Sequence, residues 1–176
     1  PSSPRSGGAL LGDRIRIDEL EQAKDLYVRS IASRAAYDGL ANNLPELVHA
    51  MERAGFNEVI LETVGVGQSA YGARSQVETL VLVLVPGTGD VIQAMKAGIM
   101  ELADLYVVHK ADLPGAQELA SEIKSILQFA PPGAQGWTPP VLSTSVRDAA
   151  SIERLSLEID RHQIWLHQAG LASERR

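Results

Sequence analysis

The apolar residues of this 176-residue chain fall into short runs separated by helical spacings. "TLVLVLV" (Thr79 to Val85), "LYVV" (Leu105 to Val108) and "PVLSTS" (Pro140 to Ser145) do not alternate cleanly between apolar and polar residues. Such runs predict strands covered on both faces, the usual condition of parallel strands. "YVRSIA" (Tyr27 to Ala32) and "EVILETV" (Glu58 to Val64) read as two more. Leu40, Leu44, Leu47, Val48 and Met51 recur at helical spacing and stop near Gly55. Further helices are predicted near Asp90 to Ala103, around Leu119, Ile123, Ile126 and Leu127, and along Ile152, Leu155, Ile159, His162 and Leu166. Strands and helices in turn predict an α/β fold, a mostly parallel sheet flanked by helices.

In sheets of this kind ligands bind at the carboxyl ends of the strands. The loops found there carry the candidate chemistry. In "ETVGVGQ", Glu62 is an acid at a strand end, suited to Mg²⁺ directly or through water. Gly65 lacks a Cβ and lets a phosphate approach the backbone, and Gln68 is placed to orient a water. A plain glycine turn, with Glu62 as a cap, explains the same letters. In "PGTGD", Asp90 stands at a helix N-cap, and Gln93 and Lys96 follow at intervals of three on one helix face. A solvated face explains those three equally.

"HKAD" ends the run from Leu105. The Asp112 carboxylate can accept both the N1–H and the N2–H of guanine, a pairing adenine does not offer. The aliphatic stem of Lys110 can lie across a base. The alternative is a strand-end turn in which Asp112 caps the next helix. "STSV" (Ser143 to Val146) can present backbone N–H groups to guanine O6, or form an ordinary Ser/Thr turn. In "GGALLGDR", Asp13 is either a Mg²⁺ contact on a loop or the first-turn acid of a helix.

Charge narrows the partners. The net charge is -6, with acidic and basic residues intermixed, which argues against nucleic acid or an anionic membrane. There is no cysteine, hence no disulfide and no thiolate metal site. The longest apolar run is too short to span a bilayer, and no targeting segment is evident. These features fit a cytoplasmic protein.

"PSSPRSGGALLGDRIR", "ETVGVGQS", "PGTGDVIQAMKAGIMELAD" and "KAD" fall in order with matching spacing. Together they resemble the methylmalonyl-CoA mutase-associated GTPases, the MeaB/ArgK family. The resemblance implies a P-loop GTPase fold that binds GTP or GDP with Mg²⁺ and hydrolyses GTP. It implies a homodimer that assists an adenosylcobalamin-dependent acyl-CoA mutase. Residue by residue, it gives Asp13 and Glu62 to the metal and Gly65 to the γ-phosphate. It gives Asp90, Gln93 and Lys96 to a switch that couples to the mutase, and Lys110, Asp112 and Ser145 to the guanine, with His109 in the same loop.

The chain also departs from that pattern. His109 stands where the family has Asn, Ala35 and Asp38 where it usually has glycines, Ala97 where a second Lys is common and Ala70 where Glu is common. No Gly-x-x-x-x-Gly-Lys-Ser/Thr run occurs, since no lysine follows a glycine. The expectation is a fragment: a partial GTPase domain over residues 1–170, with 171–176 opening a truncated C-terminal arm, inactive by itself. A non-enzymatic paralogue that keeps the fold as a partner-binding module fits the same departures.

Overall fold

A computed structural model describes residues 26–29, 31, 40–41, 43–63, 69–96, 98–129 and 136–172. The described helices are α1 (Leu44–Arg53), α2 (Ser69–Arg74), α3 (Asp90–Lys96), α4 (Ala116–Phe129) and α5 (Ala149–Gln168). The strands are β1 (Val81–Leu84), β2 (Leu105–His109) and β3 (Val141–Thr144). The chain divides into two compact units, Pro1–Gly72 and Ala73–Arg176.

In the first unit, α1 begins with a proline in its first turn, where a missing N–H costs nothing. Glu46 in that turn and Arg53 in the last complement the helix dipole. The helix stops at Gly55 as the sequence predicts. Gly55 takes φ +94, and the Gly55 and Phe56 amides donate back to Glu52 and Met51 at 3.0 and 3.1 Å. Tyr27 and Phe56 make a ring contact at 6.2 Å.

Two predicted strands do not form among the described residues. Residues 27–29 and 31 of the first run, and 58–63 of the second, carry no strand ladder. A strand exists only as rungs to a neighbour, and apolar composition names no neighbour. Ile60 is 85% exposed, the opposite of a residue in a covered parallel strand.

The second unit holds the sheet, ordered β1-β2-β3 and parallel throughout. Leu105, Tyr106, Val107 and Val108 of the central strand are all buried, so both faces of β2 are covered. That is why its sequence shows no alternation. Helix α4 packs on β2 and β3, with Ile123 fully buried, and α5 packs on β3. The helix predicted from Asp90 to Ala103 is broken. Gly98 takes φ +67 after α3, and the chain continues as a 3-10 turn, Ile99–Glu101.

A buried polar knot ties the amino ends of the strands. Asp104, just before β2, accepts at Oδ2 from Arg74 Nη1 (2.7 Å) and from the Leu80 amide (2.8 Å). Its backbone carbonyl accepts from Trp137 Nε1 at 2.8 Å. His162 of α5 is fully buried, with Nε2 3.3 Å from Asp104 Oδ1 and Nδ1 2.8 Å from Thr79 Oγ1. A proton on Nε2 keeps two lone pairs from facing each other across that gap, and Nδ1 then accepts from the Thr79 hydroxyl. Trp165 stacks on the His162 ring, and Trp137 meets it edge-on. His162 is thus a structural residue, buried on the helix where its spacing places it.

Candidate functional site

The carboxyl ends of β2 and β3 come together at the opposite end of the same strands. In their register His109 pairs with Thr144. Two residues after His109, the Ala111 amide donates to the Thr144 carbonyl at 2.9 Å. Between them Lys110 takes φ +56, in the left-handed region that costs a side-chain-bearing residue about 1–2 kcal/mol. The Leu113 amide closes the turn onto the Lys110 carbonyl at 2.9 Å. This bend carries the chain away from the strand, and Asp112 reaches across to the loop after β3.

There the Ser145 hydroxyl donates to Asp112 Oδ1 at 2.6 Å, and Arg147 Nη1 lies 3.6 Å from Oδ2. The Ser145 hydroxyl, first, then the backbone amide of Asp112 and the charges of Arg147 and His109, hold the Asp112 carboxyl below the usual 3.8. The group is therefore an anion at neutral pH. An ionised carboxylate offers about four acceptor positions, and Ser145 takes one of them. Helix α4 begins at Ala116, and the Leu119 amide returns to the Gly115 carbonyl. Asp112 lies outside the capping position, so capping does not explain it.

His109 ties the end of β2 to the end of β3. Its Nδ1 lies 3.0 Å from Thr144 Oγ1 and links the two strand ends. Thr144 is buried and His109 half-buried, so this contact is partly shielded from water. Behind Ser145 the loop is fastened twice more. The Ser145 amide donates to Ser151 Oγ at 3.0 Å, and the Ser151 hydroxyl donates to the Asp148 carbonyl at 2.6 Å. The Arg147 amide donates to Ser145 Oγ at 3.2 Å. Among the described residues the Val146 amide has no such intramolecular bond.

The structure thus joins Asp112 to Ser145 and sets His109 and Lys110 on the same turn. Glu62 is exposed and belongs to the first unit. Asp90 opens α3, and Gln93 and Lys96 follow along it, with Lys96 exposed. Asp13, Gly65 and Gln68 lie outside the described residues. Among the described residues no group of three or more metal-ligating side chains occurs. No described helix is long and apolar enough to cross a membrane. Sequence reasoning named the loop "STSV" for its backbone N–H groups but overlooked the Thr144 side chain as the partner of His109, and it overlooked Arg147, one residue past that loop. The pairing of Thr144 with His109 needs the strand register.

A parallel α/β sheet with its polar loops gathered at the carboxyl ends is the build of a nucleotide-binding α/β protein. The solved structure of an LAO/AO transport system kinase shares this fold, with a TM-score of 0.66 and 29% identity over 75% of this chain and 43% of that one. The family model for methylmalonyl Co-A mutase-associated GTPase MeaB matches residues 1–176, and the chain belongs to that family. It is 38% identical over its whole length to a Pyrococcus abyssi protein named "Putative GTPase PYRAB02490", covering 55% of that protein. It is 34% identical to the mouse "Methylmalonic aciduria type A homolog, mitochondrial", over 99% of this chain and 43% of that protein. The chain spans about half the length of the curated relatives it matches.

Proposed function

We propose that this chain carries the guanine-reading half of a GTP-binding site in a protein that assists an adenosylcobalamin-dependent acyl-CoA mutase. The observation that supports it most is the Asp112–Ser145 contact. It holds an anionic carboxylate at the carboxyl end of the sheet, in a chain of this GTPase family. Guanine would donate N1–H and N2–H to Asp112. The stem of Lys110 would lie along the base, and the loop of Ser145 and Val146 would face O6. His109 braces that loop through Thr144 in place of the family's Asn. This favours a retained base site over a paralogue that has lost nucleotide.

The phosphate end of the site is proposed from family resemblance. Gly65 would face the γ-phosphate, and Gln68 would orient the attacking water. The magnesium expected with GTP would draw on Asp13 and Glu62. Of these, Glu62 is described and exposed, and among the described residues it belongs to no three-ligand cluster. Asp90, Gln93 and Lys96 on α3 would report nucleotide state to the mutase, and the assembly would be a homodimer.

Base reading is tested by equilibrium titration of the chain with GTP and ATP. One carboxylate pairing two base donors is expected to favour GTP by about tenfold or more. Asp112→Ala is expected to abolish the preference, and equal affinities in the unaltered chain would refute the role of Asp112. The 176 residues contain no Gly-x-x-x-x-Gly-Lys-Ser/Thr run, so we expect the purified chain not to turn over GTP. Mg²⁺-dependent phosphate release by it would overturn that expectation.

A further inference from the structure

We propose that Arg147 is an internal competitor of guanine, its guanidinium standing 3.6 Å in front of the Asp112 carboxylate oxygen that the base would take. The inference rests on Asp112 as the base-reading residue. A guanidinium and the N1–C2–N2 edge of guanine are the same chemical fragment, a carbon bearing N–H donors that point the same way. A carboxylate cannot give the same lone pairs to both.

The contact geometry assigns the two oxygens different fates. Oδ1 is held by the short bond from Ser145, 2.6 Å long, which braces the carboxylate from behind. Oδ2 faces Arg147 Nη1 at 3.6 Å, beyond hydrogen-bonding distance, and the Arg147 side chain is 81% exposed. Oδ2 is therefore covered loosely by a group that solvent can take back. The backbone keeps Arg147 close whatever its side chain does, because its amide donates to Ser145 Oγ, the atom that holds Oδ1. Arg154, further along the chain, pairs instead with Asp148 at 3.5 Å. The pair thus screens the reading carboxylate while no base is present, and opens when one arrives.

An exposed ion pair is weak, so its removal is expected to tighten base binding up to about fivefold. The probe is guanosine, which carries no phosphate, followed by NMR titration against the chain. Inosine, which lacks the N2 amino group, is the control. Arg147→Gln is expected to bind guanosine a few-fold more tightly than the unaltered chain at low ionic strength. Near 1 M salt the two are expected to converge, because screening removes the pair in the unaltered chain. Both should keep the same preference for guanosine over inosine. In the free chain, Arg147→Gln should also raise the pH at which the Asp112 carboxyl protonates.

If Arg147→Gln binds guanosine equally or more weakly while Asp112→Ala abolishes binding, the base-reading site stands and the competitor falls. If guanosine binds neither chain, or binds unchanged in Asp112→Ala, the base-reading site itself falls and the competitor with it.

Discussion

Replacing Asp104 with alanine should unfold more of this protein's stability than its position far from the base loop suggests. The Asp104 side chain keeps 8% of its accessible surface and its partner Arg74 keeps 19%. One oxygen receives both the Arg74 guanidinium at 2.7 Å and the Leu80 amide at 2.8 Å, and the other lies 3.3 Å from His162. Removing one member of a buried ion pair leaves the opposite charge in a poor solvent and costs about 3–5 kcal/mol. The Leu80 amide also loses its carboxylate, a loss of about 1–3 kcal/mol taken alone. The two losses share one oxygen and do not add in full, so about 3–5 kcal/mol is the expected total. Against a typical domain stability of 5–15 kcal/mol this is a large fraction. Urea unfolding followed by tryptophan fluorescence measures it well, because Trp137 and Trp165, the chain's two tryptophans, both sit at this knot. The double variant Asp104→Ala with Arg74→Met should lose less than the sum of its single variants, since the displaced charge is gone. A loss below about 1 kcal/mol for Asp104→Ala, or full additivity in the double variant, would refute the reasoning.

Two further outcomes test the local arguments. Ser145→Ala should raise the Asp112 midpoint toward the ordinary 3.8, read by carbon NMR of the carboxyl. The sign follows from the folded value lying below the unfolded one: the contribution is present above the unfolded value and disappears as pH falls through the folded value. Its acid-side stability loss should therefore shrink in the variant. Gly55→Ala should destabilise α1 by about 1–2 kcal/mol in urea unfolding. A Cβ there meets nothing within 4 Å, so the cost comes from the backbone at φ +94 and not from crowding.

Local patterning carried part of this structure unaided. The run at Leu105 became β2, buried on both faces, because an unbroken apolar segment demands cover wherever that cover comes from, and the shorter run at Pro140 became β3, which is only partly covered. The Gly55 stop was equally legible, since it follows from the φ that one residue can adopt. The order of motifs, with Lys-x-Asp at a strand end, marks the family in the sequence alone. Pairings across the sheet were not legible. Asp112 and Ser145 lie 33 residues apart, and they meet because register sets His109 opposite Thr144 and a left-handed Lys110 turns the chain back. The Asp104–Arg74–His162 knot joins three distant segments that no periodicity links. The runs at Tyr27 and Glu58 show the same limit from the other side. Apolar letters predicted strands there, but a strand needs hydrogen-bonding rungs on a neighbour, and only tertiary structure supplies them. The sequence by itself determined which segments seek burial and which residue types stand at the strand ends. The tertiary structure decided which of those residues touch, because contact depends on register and turn geometry that no single segment encodes.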